Sequence, residues 1–376
     1  MPADLVGSRT LSDCDVRAMN AAFLVEQLTV AQSGRAYSLR HLREITGLPV
    51  TRLGVSSSNR RCTAPDGDAA ILHGLDAAWN AGLRFFDPQR RHFRGTAEHL
   101  FGMGLHDRGG QSGSYTVLSR LGTMAPPPGS DRDGTADLKP ENLLLQWHAN
   151  LHRLGSRAAK AAVLEADARL HVNQDGGETH LTAELHDSLQ RLRTMKEQRV
   201  GKPDEILAVG GASLSPGDDA YWLRVLLSEG VDFVVLSGPL AVFNGEVVSL
   251  LQHAPVCSVI MGSPFPGDVL MSLGDSGAEE PLAYCEVAAV KLECEISDDG
   301  LREAIRAWCG LCKEFDVHAA WPLMQLPLSF PAVVAVEADI VTSAELAGAV
   351  RLMNCEVAAA FWERAREEQF CSGLPT

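Results

Sequence analysis

The chain has no apolar run approaching the roughly 20 residues that a membrane-spanning helix requires. Its start carries Asp4, Asp13 and Asp15 rather than a basic segment followed by a compact apolar one. A spanning segment and a secretory leader are therefore not expected, and the expected location is the cytoplasm. Basic charge is scarce too: 33 Lys and Arg stand against 48 Asp and Glu, a formal net charge of -15. Nucleic acid and anionic membrane both need a basic face to neutralise phosphate, so neither is expected as a partner. The nine cysteines, spread from Cys14 to Cys371, lack the dense spacing of a secreted disulfide framework and read as reduced thiols.

Several small motifs are incomplete in the same way. Cys309-Gly310-Leu311-Cys312 has the spacing of half a metal site, but it falls inside a helical pattern from Leu301 to Phe315, and no second Cys/His pair follows closely. Buried core cysteines are the simpler reading. His148 and His152 lie four apart on one helix face with only His171 to join them, and no metal is expected. Gly109-Gly110-Gln111-Ser112-Gly113-Ser114 has the composition of a phosphate loop without its Lys-Ser/Thr, and reads as a connector. No repeat at a solenoid period is present.

What the sequence does have is a globular composition, 45% hydrophobic and 22% charged, laid out as alternating strands and helices. Strand patterns fall at Thr51-Val55, Arg84-Phe86, Tyr115-Leu118, Ala168-Val172, Ile206-Val209, Phe233-Leu236, Ser258-Met261 and Val333-Val336. Helical patterns follow six of them, at Ala69-Ala81, Thr96-Leu105, Glu141-Leu154, Leu181-Gln198, Asp219-Ser228 and Val247-His253. This alternation predicts an α/β fold in which a parallel sheet closes as a (β/α)8 TIM barrel, whose usual size is about 250 residues plus insertions. An open doubly wound sheet is the alternative, but no Gly-x-Gly-x-x-Gly follows the first strand. The barrel is expected over residues 37–366, with a tail at 367–376 and an extension at 1–36. That extension holds one amphipathic stretch, Val16-Leu28, able to act as a docking helix.

Gly82-Leu83-Arg84-Phe85-Phe86-Asp87, followed by Gly95-Thr96-Ala97-Glu98-His99-Leu100-Phe101-Gly102, resembles the active-site strand and next helix start of the aldo-keto reductases. The likeness is to the branch of D-threo-aldose (L-fucose) and L-galactose dehydrogenases. It extends to Leu48-Pro49-Val50-Thr51-Arg52-Leu53-Gly54, Leu151-His152-Arg153-Leu154-Gly155, Gly262-Ser263-Pro264-Phe265 and Leu326-Pro327-Leu328-Ser329-Phe330-Pro331-Ala332-Val333. The resemblance implies the barrel, and it implies hydride transfer from NADPH with a Tyr acid, a Lys that lowers its pKa, a His and an Asp.

Carried over position by position, only Asp87 matches. His92 stands for the Tyr, Arg120 for the Lys, and Asn173 for the His that ends the next strand. The nicotinamide-stacking aromatic corresponds to Leu240. The carboxamide-holding Asn falls at Ala212 or Ser213. The phosphate clamp maps onto Asp339-Ile340-Val341-Thr342, where Val341 takes the place of a cation. Gly262, Ser263, Pro264 and Phe265 keep the family loop, and Thr342 keeps a hydroxyl.

The implied reading is a barrel without oxidoreductase chemistry, a pseudoenzyme with a binding, scaffold or regulatory role, no cofactor and a protein partner. One alternative is an active oxidoreductase using NADP or NAD on an aldehyde or aldose, with His92 as proton donor. Another has Arg90, Arg91 and Arg120 gripping an anionic substrate while His92 and Asp87 transfer a proton.

Overall fold

The structure, a computed structural model, describes residues 42–57, 67–88, 95–109, 114–124, 135–155, 159–166, 177–213, 218–253, 257–262, 299–340, 342–354 and 356–368. A short helix α1 (Leu42–Thr46) precedes β1 (Leu53–Ser56), α2 (Gly67–Asn80), β2 (Phe85–Asp87), α3 (Thr96–Gly109) and β3 (Thr116–Leu121). An antiparallel ribbon of β4 (Thr123–Met124) and β5 (Thr135–Ala136) interrupts the alternation. Then come α4 (Pro140–Leu154), β6 (Ala159–Ala166), α5 (Gly177–Gln198), β7 (Ala208–Ser213), α6 (Asp219–Ser228), β8 (Phe233–Leu236), α7 (Gly245–His253) and β9 (Ser258–Met261). The last part holds α8 (Asp299–Glu314), α9 (Ala320–Gln325), β10 (Val333–Asp339), α10 (Ser343–Asn354) and α11 (Ala359–Glu367).

Eight strands close in the order β1-β10-β9-β8-β7-β6-β3-β2, each pair parallel. This is the expected (β/α)8 barrel. Its lumen is packed, as side chains at alternate strand positions demand. Phe85 and Phe233 are wholly buried there with Leu118, Val163 and Ile260. Each Phe lies over a glycine: a Cβ on Gly54 would stand 2.4 Å from Phe85, and one on Gly210 2.5 Å from Phe233. Leu42 of α1 joins this inner cluster, and its amide donates to Ser258 Oγ at the start of β9 (2.7 Å). Helix α1 thus closes the end of the barrel where the strands begin. Between strands and helices a second core buries Trp147, Trp222 and Trp308.

The expected strand at Ala168–Val172 lies outside the described residues. The fourth barrel strand that the structure describes is Ala159–Ala166. That segment, Ala-Lys-Ala-Ala-Val-Leu-Glu-Ala, has weak intrinsic β preference. It is a strand because parallel neighbours on both edges supply its hydrogen bonds and because small side chains suit a lumen already filled by phenylalanine. Strands β3, β7 and β10 also run farther than expected, to Leu121, Ser213 and Asp339. The extensions of β3 and β10 bring Arg120, Glu337 and Asp339 to the end of the barrel where the strands finish. The docking-helix reading of Val16–Leu28 lies outside the described residues. No described helix is long and apolar enough to cross a membrane.

Candidate functional site

The alternation that points Phe85 inward also points Asp87 inward, and the same holds for Leu118 with Arg120 and for Val163 with Glu165. These three charged residues therefore form one layer above the apolar lumen. The Arg120 guanidinium, its side chain only 2% exposed, binds both neighbours. Its Nε donates to Asp87 Oδ1 (2.9 Å) and Oδ2 (3.1 Å), its Nη2 donates to Asp87 Oδ2, and its Nη1 donates to Glu165 Oε1 (3.0 Å). Thr123 Oγ1 donates to the other oxygen of Glu165 (3.3 Å). Burial opposes the charge on Arg120, but the carboxylates of Asp87 and Glu165 outweigh it and hold the guanidinium firmly protonated.

A fourth acid completes the layer. Glu337, in the middle of β10, is fully buried, and neither of its carboxyl oxygens receives a hydrogen bond. Burial first, and the adjacent Asp87 charge second, push its pKa well above the ordinary glutamate value, while Arg120 pulls the other way.

The layer is anchored from outside the barrel. Asn150 of α4 donates through Nδ2 to the Arg120 carbonyl (2.7 Å) and to Ser119 Oγ (2.9 Å). It accepts from Arg153 Nη2, and Arg153 Nε in turn donates to buried Glu98 of α3 (2.5 Å). Two segments that carried the sequence resemblance, Gly95–Gly102 and Leu151–Gly155, thus meet as one framework. Gly122, at φ 98°, follows β3 and passes so near β6 that a Cβ would stand 2.7 Å from the Glu165 carbonyl. Its amide donates to Gln146 Oε1 (2.8 Å).

Of the four catalytic positions, Asp87 and Arg120 come together, whereas His92 and Asn173 lie outside the described residues. The described fourth strand, Ala159–Ala166, brings Glu165 to this level. Arg120 does not reach toward an incoming anion: its Nε, Nη1 and Nη2 all donate to carboxylates. That removes it from the expected arginine grip, whose other members, Arg90 and Arg91, lie outside the described residues.

The cofactor positions are likewise internally engaged where described. Leu240 is buried in the outer core rather than in the lumen cluster. Ala212 is on the lumen face. Ser213 hydrogen-bonds to Asp219, the buried first residue of α6, which also accepts from the Ser237 amide (3.0 Å) and hydroxyl (2.6 Å). Burial raises Asp219 to about 6 against these hydrogen bonds. Thr342 caps α10 in a reciprocal box: the Glu345 amide donates to Thr342 Oγ1 (3.2 Å), and the Thr342 amide donates to Glu345 Oε2 (2.9 Å). The helix end beside the expected phosphate clamp therefore holds a carboxylate of its own. Gly262 closes β9 so near β8 that a Cβ would stand 2.8 Å from the Leu236 carbonyl. Ser263, Pro264, Phe265 and Val341 lie outside the described residues.

Cys309 and Cys312 are buried thiols, and burial raises Cys312. His148 pairs with Asp204 (2.8 Å). Among the described residues no three His, Cys, Asp or Glu side chains are arranged to hold a metal ion.

Sequence reasoning missed Glu165, Glu337 and Asp219. The signal for the first two was an acid inside an apolar strand run, Val163-Leu164-Glu165 and Ala335-Val336-Glu337, since a charge in a buried parallel strand requires a partner.

No family model matches this sequence, and no curated protein does. Solved structures do match. The aldo-keto reductase AKR11C1 of Bacillus halodurans, in its holo form, superposes with a TM-score of 0.55 over 88% of this chain and 95% of its own, at 16% sequence identity. PA4992 of Pseudomonas aeruginosa, described as a member of the same reductases, covers 82% of this chain and 92% of its own at 16% identity, with a TM-score of 0.48. The chain is thus a closed (β/α)8 barrel similar in fold to an aldo-keto reductase.

Proposed function

We propose that this barrel belongs to the aldo-keto reductases but no longer transfers hydride, and that it serves a binding, scaffold or regulatory role through a protein partner in the cytoplasm. The observation that carries the reading is the state of Arg120. A lysine in that slot lowers the pKa of a neighbouring acid by lending it positive charge. Arg120 lends nothing of the kind, because Asp87 and Glu165 neutralise it inside the barrel. The bulk of its fork fills the space between them.

The residues at the cofactor positions do not fit a nicotinamide dinucleotide. Leu240 offers no aromatic face and is packed away from the lumen, Ser213 is engaged by Asp219, and the α10 terminus carries Glu345 where a 2'-phosphate needs positive charge. The framework contacts, Glu98 with Arg153 and Asn150 with the Arg120 carbonyl, serve the fold and persist without chemistry.

The test is turnover. NADPH oxidation is followed with a panel of aldehydes and aldoses for the wild-type chain and for His92→Ala. No cofactor consumption above the buffer rate is expected from either. Turnover by the wild type that disappears in His92→Ala would establish the active alternative with His92 as acid.

A further inference from the structure

We propose that Glu337 and Asp87 hold one proton between them, Glu337 donating it to an Asp87 oxygen, and that losing this proton loosens the end of the barrel where the strands finish. The geometry leaves few other arrangements. Glu337 is fully buried, with no donor to either oxygen. A buried carboxylate without a donor is among the most costly groups a fold can hold. Asp87 is fully buried too, and on its other side it receives the Nε and Nη2 of Arg120.

The groups around the pair can be named element by element. From β2 comes Asp87, from β3 Arg120, from β6 Glu165 held on Arg120, and from β10 itself Asp339. Opposite on β1 stand Gly54 and Ser56, paired with Glu337 and Asp339 and bearing no charge. Arg120 is the single cation among these groups, and it is already shared by two carboxylates. A third buried negative charge has no partner among them, whereas a proton on Glu337 removes that charge and supplies the missing donor. The arrangement is that of two close carboxyl groups sharing one proton.

The sign follows from linkage. A raised folded-state pKa means that the folded chain binds one more proton than the unfolded chain between the ordinary glutamate value, 4.5, and its own raised value. Stability from this pair is complete below 4.5 and is lost as pH rises through that window, the unfolding equilibrium constant growing up to about tenfold per pH unit. Deprotonation sets Glu337 against Asp87 at the junction of β10, β1 and β2, so the seam beside β1 is where the barrel opens. The inference is independent of whether a nucleotide binds.

The experiment compares urea unfolding of the wild type and Glu337→Gln from about pH 6 to pH 9, roughly the range in which an ordinary glutamate stays fully ionised. The glutamine side chain cannot ionise, and its amide donates to Asp87. The expected result is a wild-type midpoint that falls with pH relative to the variant, which becomes the more stable of the two at the alkaline end. Difference infrared spectra of the two proteins at about pH 7 should show a protonated-carboxyl C=O band lost in the variant. Parallel pH profiles, or no such band, would overturn the proposal. Should Glu337→Gln fail to fold, Asp87→Asn is the second variant: it removes the charge that holds the proton, so the carboxyl band and the pH slope are both expected to weaken. An unchanged slope in Asp87→Asn also counts against the shared proton.

Discussion

Replacing Arg120 by Met tests the buried layer in the most quantitative way. The side chain is of similar length but carries no charge, so the substitution leaves Asp87 and Glu165 as two buried carboxylates without the N–H donors of the guanidinium. Removing one partner of a buried pair costs about 3–5 kcal/mol, because the remaining charge stays desolvated. Against a typical stability of about 5–15 kcal/mol, that is about a fifth or more of the total. At about 2–4 °C per kcal/mol the melting temperature falls by roughly 6–20 °C. Urea unfolding followed by fluorescence of the buried Trp147, Trp222 and Trp308 reads the change. The control is the triple variant Asp87→Asn, Glu165→Gln, Arg120→Met. With the carboxylates neutralised, most of the loss should be recovered, since an uncharged replacement of a buried ion pair is often close to neutral. A single Arg120→Met variant within about 1 kcal/mol of the wild type would refute the reasoning, because that is the size of an exposed pair.

Other consequences follow from the same contacts. Glu98→Ala leaves Arg153, which is partly exposed, without its carboxylate, so the loss should fall toward the low end of about 3–5 kcal/mol by denaturant titration. Gly102→Ala puts a Cβ 2.4 Å from the Arg153 carbonyl and 2.8 Å from the Leu154 Cα. Both are backbone atoms, so α3 and α4 must separate, and a cost of about 1–3 kcal/mol or more is expected. Thr342→Ala opens the capping box of α10 and should cost about 0.5–2 kcal/mol in thermal unfolding. Burial and the nearby Arg351 charge lower His318 from 6.5 to about 4. The folded chain thus resists a proton that the unfolded chain takes up near 6.5, and stability is lost as pH falls from 6.5 toward 4. His318→Asn should flatten that acid limb relative to the wild type.

The architecture was legible because strand and helix periods recur along the chain, and every expected strand but one overlaps a barrel strand. The exception shows what periodicity cannot see. Ala159–Ala166 is a strand by virtue of its neighbours rather than of its own pattern. Its inward Glu165 was therefore not among the expected site residues. Asp87 and Arg120 were legible as a pair by resemblance, but not their mutual engagement, since a sequence does not say whether a guanidinium faces solvent or a carboxylate. Glu337 was missed for another reason: its meaning depends on β10 closing against β1, a contact between residues far apart in the chain. The cap at Thr342 is readable as Thr-Ser-Ala-Glu, three residues from hydroxyl to acid. The resemblance of the same segment to a phosphate clamp masks it.

The central claim is that this barrel has lost its nicotinamide site, and direct titration with NADPH and NADH tests it. Purified chain is titrated while tryptophan quenching, including that of Trp79, Trp222 and Trp321, and the cofactor's own fluorescence are recorded. No saturable signal up to millimolar cofactor is the predicted result. Saturation at micromolar concentration with either nucleotide would contradict it.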